Sequence, residues 1–277
     1  MGIFIDQTGY LPVSRKVATT TFPCNFQLID STTQHAVYDG VSTDSGMDES
    51  AGEQVYQLDF SKVSSPGSYY VLAGNGKRSH TFVIGEHVYE QLQLDLMKCF
   101  YFQRCGCALT SEYAGEYTHA ACHTEDAVFL EDYMNQTPDP SHFDMSGGWH
   151  DAGDFGRYIS PAAVAVGHLL YAYELFPESF QASLHIPESG NLLPDILNEC
   201  LYELKWMLKM QADNGGVYHK LTSFVHADFL MPEEDKLPFL IYPVSTMATA
   251  DFAASMALAS RVYAPFDKAF STQALEA

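Results

Sequence analysis

The spacing of hydrophobic residues changes once along this chain, near residue 86, and this change constrains the fold more than any other feature. Before it, apolar and polar residues alternate in short runs that end at turn signals such as Asp39-Gly40. That pattern is typical of antiparallel strands. It predicts strands at Lys16–Thr21, Asn25–Ile29, Gln54–Phe60, Ser68–Leu72 and His80–Ile84. Residues 1–86 are therefore expected to form a small β-sandwich.

From residue 87 onward, apolar residues recur at helical spacing. The spacing predicts helices over Tyr89–Cys105, Ala162–Phe176, Leu193–Gln211 and Thr246–Tyr263, and two shorter ones around Thr124–Asn135 and Phe270–Ala277. Ser245 is placed to cap the helix that follows it, and Pro177 follows a helix end. Because no strands are expected between these helices, a βαβ fold is disfavoured and residues 87–277 are predicted to be all-α.

Composition narrows the classes of partner. The chain has 35 acidic and 14 basic residues and a net charge of −21, which argues against nucleic acid and anionic membrane surfaces. No apolar run reaches the roughly 18–20 residues of a membrane helix. The N-terminal residues lack the basic region and the long apolar stretch of a signal peptide, which favours a cytoplasmic protein or a mature secreted one.

The segment Ser146–Tyr158, with the sequence SGGWHDAGDFGRY, is the richest in chemistry. Its glycines forbid a regular helix and allow tight turns. Asp151 and Asp154 lie three residues apart, so both carboxylates can face one cleft and share a water molecule, one as general base and the other as its partner. The spacing alone is equally compatible with a turn of two solvated aspartates or with a calcium-binding loop.

A second set of residues has metal-ligand chemistry. Two thiols and two imidazoles make a closed tetrahedral zinc set with no position left for water, which is typical of a structural site. The candidate ligands are Cys105, Cys122, His123 and His150. The alternative is two buried thiols and two ordinary histidines, and Cys107 and His119 are the nearest competing ligands. A metal on His150 would also fix the neighbouring Asp151.

These segments resemble those of glycoside hydrolase family nine, the inverting cellulases and their relatives. GGWHDAGDFGRY is similar to the signature of that family, and IDQTGYLP resembles the start of the immunoglobulin-like module that precedes the catalytic domain in one branch. Further similar segments follow in family order: FQRCG (102–106), ACH (121–123), WMLKMQ (206–211), GGVYHK (215–220) and PVSTMATADF (243–252).

The resemblance implies a fold and a set of roles. Residues 1–86 would be the immunoglobulin-like domain, and residues 87–277 about half of an (α/α)6 barrel. Asp154 would activate the attacking water, Asp151 would help to hold it, and His219 would line the sugar subsites. Structural zinc would be bound by Cys105, Cys122, His123 and His150, and calcium is a second candidate metal without a placed site. Exposed aromatic residues would stack on sugar rings, with Trp149, Tyr158, Tyr218 and Tyr242 as candidates.

The general acid of the family is a glutamate near the far end of the barrel, and no glutamate of this chain lies in a matching motif. The expected function is therefore hydrolysis of β-1,4-glucan with inversion, by an enzyme whose acid and second barrel half are missing from this chain. Two alternatives are an exo-β-glucosaminidase acting on chitosan-type oligosaccharides and a catalytically incomplete sugar-binding or interaction module. The resemblance favours an extracellular or periplasmic location, whereas the lack of a visible signal peptide favours a cytoplasmic one.

Overall fold

The computed structural model describes residues 2–277. The backbone divides into two units, one that extends up to Asp95 and one that comprises Leu96–Ala277. The division falls inside the first helix, α1 (Glu90–Phe102), whereas the hydrophobic spacing changes slightly earlier, between the last strand of the first unit and this helix.

The first unit consists of two antiparallel four-stranded sheets, with strand orders β1-β2-β6-β5 and β4-β3-β7-β8. The strands are β1 (Ile3–Phe4), β2 (Val17–Thr20), β3 (Asn25–Asp30), β4 (Ala36–Val41), β5 (Thr43–Asp48), β6 (Glu53–Asp59), β7 (Gly67–Ala73) and β8 (Phe82–Ile84). The five predicted strands correspond to β2, β3, β6, β7 and β8. The sequence did not reveal the other three. Strand β1 has only two residues, and β4 and β5 are largely exposed and carry no alternating apolar pattern.

Buried aromatic side chains fill the core of this unit. The ring of Tyr10 packs edge-on against Phe60 and Phe82, with centroids 5.3 Å apart in each case. Its hydroxyl donates a hydrogen bond to the carbonyl oxygen of Val17, so the buried polar atom is satisfied. Inward-facing residues of β3, such as Leu28, complete the core.

The second unit is mainly helical. After α1, the described chain forms α2 (Ser111–Ala114), α3 (Leu130–Asn135), α4 (Ile159–Leu175), α5 (Asp195–Lys209), α6 (Thr246–Tyr263) and α7 (Lys268–Glu276). Each predicted helix has a counterpart, and α6 has both predicted ends. The short α2 was not predicted. Helices α4, α5 and α6 supply most of the hydrophobic core, and within residues 2–277 no helix has both the length and the apolarity that a membrane crossing requires.

The prediction that this region contains no strands is wrong. Four short strands, β9 (Val128–Phe129), β10 (Arg157–Tyr158), β11 (Lys220–Thr222) and β12 (Leu240–Ile241), form a sheet of order β10-β11-β12-β9. Each strand has only two or three residues, which is too short to produce a period of two in the sequence. This sheet brings together four segments that are distant in sequence and lies next to the glycine-rich loop.

The N-terminus of α6 offers a direct test of the local structure. The Ser245 hydroxyl oxygen accepts a hydrogen bond from the backbone N–H of Ala248 at 3.0 Å, as the sequence predicted. We expect Ser245→Ala to lower the free energy of unfolding by about 1 kcal/mol, because an orphan helix N–H loses its acceptor. Urea denaturation of the variant measures this loss. Thr246→Ala, at the exposed next position, is the control, and an equal effect of the two substitutions would contradict the capping role.

Candidate active site and metal cluster

The glycine-rich loop that precedes β10 has a backbone that other residues cannot adopt easily. Gly147 and Gly148 have φ angles of 104° and 76°, in the region that favours glycine. A Cβ atom on Gly148 would lie 2.7 Å from the indole of Trp206. The loop therefore approaches α5 more closely than any side chain at this position would permit.

Two buried carboxylates hold the loop at Trp149. The backbone N–H of Trp149 donates to Oε2 of Glu203 at 2.6 Å, and its indole Nε1–H donates to Oε1 of Glu199 at 2.9 Å. The two glutamates are four residues apart, so they lie on one face of α5. Arg104 pairs with Glu199 alone of these two, because its guanidinium donates to both oxygens of Glu199 and to Glu188.

Backbone hydrogen bonds complete the fixation of the loop. The N–H of Cys105 donates to the carbonyl oxygen of Gly148 at 2.8 Å, and that of His150 donates to Gln103 at 2.7 Å. The N–H of Asp151 donates to the carbonyl oxygen of Gly156 at 2.9 Å and closes the turn that carries both aspartates. The carboxylates are thus presented from a backbone that is bonded at both ends.

Asp154 has two neighbours at one of its oxygens. The Tyr158 hydroxyl donates to Oδ2 at 3.0 Å, and Nδ1 of His226 lies 2.9 Å from the same atom. The other oxygen, Oδ1, accepts only a long contact of 3.4 Å from the N–H of Gly156 among the bonds of the described residues. Burial and the neighbouring Asp154 raise the pKa of Tyr158 to about 12, so the phenol stays a neutral donor.

Asp151 lies on the solvent side of the same turn. It lines a cavity of about 230 Å³ together with Phe100, Gln103 and Tyr158. Partial desolvation raises the pKa of Asp151, and the negative charge of Asp154 raises it further. The two aspartates are therefore electrostatically coupled, as two carboxylates facing one water molecule would be.

The small sheet positions the other polar groups near Asp154. Tyr158 in β10 is paired with Lys220 in β11, and the ammonium of Lys220 lies 5.3 Å from the centre of the Tyr158 ring and 4.4 Å from that of Tyr242. His219 precedes β11, and its backbone bonds to Ile159 and Pro243. Its buried Nδ1 atom has no hydrogen-bond partner in the described part of the chain.

The four predicted metal ligands come together. Their ligand atoms lie within 4.8 Å of one another, although they come from three separate segments: Cys105, Cys122 with His123, and His150. Sγ of Cys105 is 3.6 Å from Nδ1 of His123, and Sγ of Cys122 is 3.8 Å from Nε2 of His150. Among residues 2–277, neither Cys107 nor His119 belongs to the cluster.

The protonation tendencies of the cluster suit a metal ion. A hydrogen bond with Cys105, helped by bonds with the two histidines, holds the pKa of Cys122 well below its usual value. Burial raises the pKa of Cys105 and lowers that of His150. A thiolate beside a neutral imidazole is the form in which these side chains bind metals.

Aromatic rings shield the cluster and connect it to the loop. The ring of Phe155 lies 5.5 Å from that of His123 and 5.1 Å from that of His150, and Phe239 lies 4.5 Å from His123. Phe155 follows Asp154 directly and has a positive φ of 57°. The residue next to Asp154 is therefore packed onto two of the candidate metal ligands.

The structure also changes parts of the sequence-based picture. Trp149 is only 7% exposed and belongs to the hydrophobic core, so it offers little ring surface to a sugar although it borders the cavity beside Asp151. Sequence reasoning missed His226 and Asp235, which contact Asp154 and His123 from distant loops without a local signal. It also missed the clamp formed by Glu199 and Glu203, although their spacing of four residues within an otherwise apolar helix face was a usable sign.

The chain thus combines a β-sandwich with a helical unit that carries a paired-aspartate loop, and the comparisons with known proteins name its family. Residues 89–277 match the model of glycosyl hydrolase family 9, and residues 1–78 match the cellulase N-terminal Ig-like domain. The chain belongs to glycosyl hydrolase family 9.

Three similar proteins illustrate the extent of the match. A cellodextrinase from Butyrivibrio fibrisolvens is 42% identical over 99% of this chain and 49% of its own length. The structure of a family 9 glycoside hydrolase from Bacteroides ovatus has a TM-score of 0.91 at 33% identity, with 99% of this chain and 52% of that chain covered. A zinc-binding triple mutant of a family 9 endoglucanase has a TM-score of 0.86 at 34% identity, covering 96% and 51%. The chain spans about half the length of these relatives.

The buried clamp predicts a specific dependence of stability on pH. Complete burial raises the pKa of Glu203 to about 8, far above the value of about 4.3 expected in the unfolded chain. Between these values the folded state binds the additional proton, so the stability contributed by this group falls as pH rises. We expect Glu203→Gln, which keeps the acceptor for Trp149 but cannot ionise, to gain stability relative to the wild type from about pH 5 to about pH 9.

Urea denaturation across this pH range measures the effect. Glu234→Gln, at an exposed position, is the control and should follow the wild-type profile. Parallel profiles for Glu203→Gln and the wild type would contradict a proton held at Glu203.

Proposed function

We propose that this chain is the part of a family 9 glycoside hydrolase that carries the general base, and that the whole enzyme cleaves β-1,4-glucan with inversion of the anomeric carbon. The observation that carries the proposal is the turn from Asp151 to Gly156, which presents two coupled carboxylates. The backbone before this turn is fixed by the clamp of Glu199 and Glu203 on Trp149. The similarity to a cellodextrinase supports a glucan substrate.

In this mechanism Asp154 is the general base. Because Tyr158 and His226 both contact Oδ2, the less engaged Oδ1 is the oxygen that accepts the proton of the attacking water. Tyr158 keeps the carboxylate oriented as a neutral donor. Asp151, three residues away across the turn, holds the same water from the solvent side. General-base assistance of this kind accelerates a reaction by about 10²–10⁴-fold.

The general acid is proposed to lie outside these 277 residues. Glu199 and Glu203 are buried glutamates that contact the loop. Both accept hydrogen bonds from Trp149, and Glu199 also pairs with Arg104. They are therefore engaged in holding the loop. In an inverting enzyme the acid stands roughly 6.5–9.5 Å from the base, which leaves room for the water. We propose that the acid lies in the remaining part of an (α/α)6 barrel, of which the helical unit is one part.

Sugar binding is assigned to the surface beside the small sheet. Lys220 lies over the rings of Tyr158 and Tyr242, and His219 precedes it, so this region combines aromatic rings with polar groups. Such a combination is suited to the apolar faces and hydroxyl groups of a sugar. The buried Nδ1 atom of His219 has no hydrogen-bond partner among residues 2–277. We propose that His219 donates to or accepts from a sugar hydroxyl of the bound β-linked chain.

The cysteine–histidine cluster is proposed to bind structural zinc. Zinc–sulfur and zinc–nitrogen bonds of about 2.3 and 2.0–2.1 Å in a tetrahedron put the ligand atoms about 3.5 Å apart. The S–N distances of 3.6 and 3.8 Å agree with this value. Zinc would be held by Cys105, Cys122, His123 and His150 and would cross-link their three segments. With four protein ligands it would have no open position for catalysis.

The base assignment predicts the outcome of one substitution. In a form of the enzyme as long as its relatives, we expect Asp154→Asn to lower kcat on cello-oligosaccharides by about 10²–10⁴-fold, because the water loses its proton acceptor. Asp213→Asn, at an exposed position in another loop, is the control. Initial rates measure the loss, and NMR of the first-formed anomer tests inversion. Retained activity in Asp154→Asn would overturn the base assignment.

The same assay tests the substrate and the acid. We expect the full-length enzyme to cleave cello-oligosaccharides in preference to glucosamine oligomers, and the 277-residue chain alone to have negligible activity. Preference for glucosamine oligomers would replace the glucan assignment. Robust turnover by the 277-residue chain would show that one of its own carboxylates acts as the acid.

The metal proposal predicts about one zinc ion for each purified chain, because four ligands form one site. Elemental analysis of protein prepared without chelators measures this content. We expect Cys122→Ser to lose the zinc and Cys99→Ser, at an exposed cysteine outside the cluster, to retain it. Zinc-free wild-type protein, or retention of zinc by Cys122→Ser, would contradict the site.

A further inference from the structure

Asp235 is a buried carboxylate beside the metal cluster that neither the glycan site nor the ligand set uses. Its side chain is 1% exposed, and Oδ2 lies 3.3 Å from Nε2 of His123, which is 112 residues earlier in the chain. Its other oxygen, Oδ1, accepts the backbone N–H of Leu237 at 2.9 Å. Both oxygens therefore have partners, and one of the partners is a candidate metal ligand.

The orientation of His123 gives this contact a chemical meaning. Nδ1 of the ring faces Sγ of Cys105 at 3.6 Å, on the side where the four ligand atoms converge. Nε2 faces Asp235 on the opposite side. A neutral imidazole carries one proton, and a nitrogen that binds a metal must be the one without it. A carboxylate at Nε2 stabilises the proton there and leaves the lone pair on Nδ1.

We propose that Asp235 is a positioning residue of the metal cluster: its carboxylate accepts the Nε2–H of His123 and aims the Nδ1 lone pair at the shared centre. The inference rests on the proposed four-ligand site and goes beyond it, since Asp235 does not touch the metal. Hydrogen bonds of this type fix the ring and make it a stronger donor, and their loss commonly weakens metal binding by about 10–100-fold.

The surroundings of the pair support a positioning role. The ring of Phe239 packs 4.5 Å from that of His123, and the side chains of His123 and Asp235 are only 3% and 1% exposed, so the bond between them is buried, which strengthens it. The bond also ties the segment that contains Asp235, Leu237 and Phe239 to the cluster. A cavity of about 270 Å³ on this side is lined by His123, Asp235, Glu125 and Asp126.

This cavity provides a matched control. Asp235→Asn keeps the size of the side chain and an oxygen for Leu237 but removes the charge that favours the Nε2–H. Asp126→Asn removes an equal charge from the same cavity, whereas the carboxylate that contacts Nε2 of His123 belongs to Asp235. We expect zinc competition with a chromogenic chelator, using metal-free protein, to show about 10-fold weaker binding for Asp235→Asn, about 100-fold for Asp235→Ala and no change for Asp126→Asn.

Two further measurements separate positioning from simple structural support. The rise in unfolding temperature on adding zinc should be smaller for Asp235→Asn than for the wild type, each measured against its own metal-free form, because the variant binds zinc more weakly. In the zinc-loaded wild type, NMR of the histidine nitrogens should show the His123 proton on Nε2. A proton on Nδ1 of His123 in the zinc-loaded wild type would by itself overturn the proposal.

The outcomes distinguish this inference from the metal site on which it rests. If the wild type binds no zinc, the metal site fails. If the wild type binds zinc and Asp235→Asn binds it equally well, only the role of Asp235 fails. Equal weakening by Asp235→Asn and Asp126→Asn would also overturn it, because the effect would then reflect the charge of the cavity and not the bond to His123.

Discussion

The hydrogen bonds from Trp149 to two buried glutamates are the interaction on which the candidate site depends. Glu203 accepts the backbone N–H of Trp149, and Glu199 accepts its indole N–H. Buried carboxylates are costly unless paired, and here Arg104 pairs with Glu199 while Glu203 has a pKa raised to about 8 by burial. The result is a rigid attachment of a glycine-rich loop to α5. Together with the backbone bonds of Cys105, His150 and Asp151, it fixes the position of the loop.

The metal cluster and the carboxylate turn are parts of one structural unit. His150 and Asp151 are adjacent in sequence, and Phe155, next to Asp154, packs on both His123 and His150. A metal ion on the cluster would therefore stabilise the turn from both of its ends without taking part in the reaction.

Most of the secondary structure could be predicted, because long elements repeat their pattern often enough to be recognised. Helix α6 was predicted with both ends, since Ser245 caps it and the apolar spacing continues to Tyr263. Strands β4 and β5 were not, because their residues are exposed. No strands were predicted where the sheet β10-β11-β12-β9 lies, because strands of two or three residues are too short to show an alternation of apolar and polar residues. Trp149 was expected at a sugar surface, whereas its indole N–H is bonded to Glu199 in the core.

The sequence by itself determined which residues are candidates for the site, namely the aspartates of the glycine-rich segment, the two cysteines and the two histidines, and the order of motifs that places the chain in its family. Only the tertiary structure decided which partners these residues have. The bonds of Asp154 to His226 and of His123 to Asp235 join positions far apart in sequence, and the buried state of Glu203 depends on packing around α5. Such contacts leave no local pattern, because the partners meet only when the intervening segments have folded.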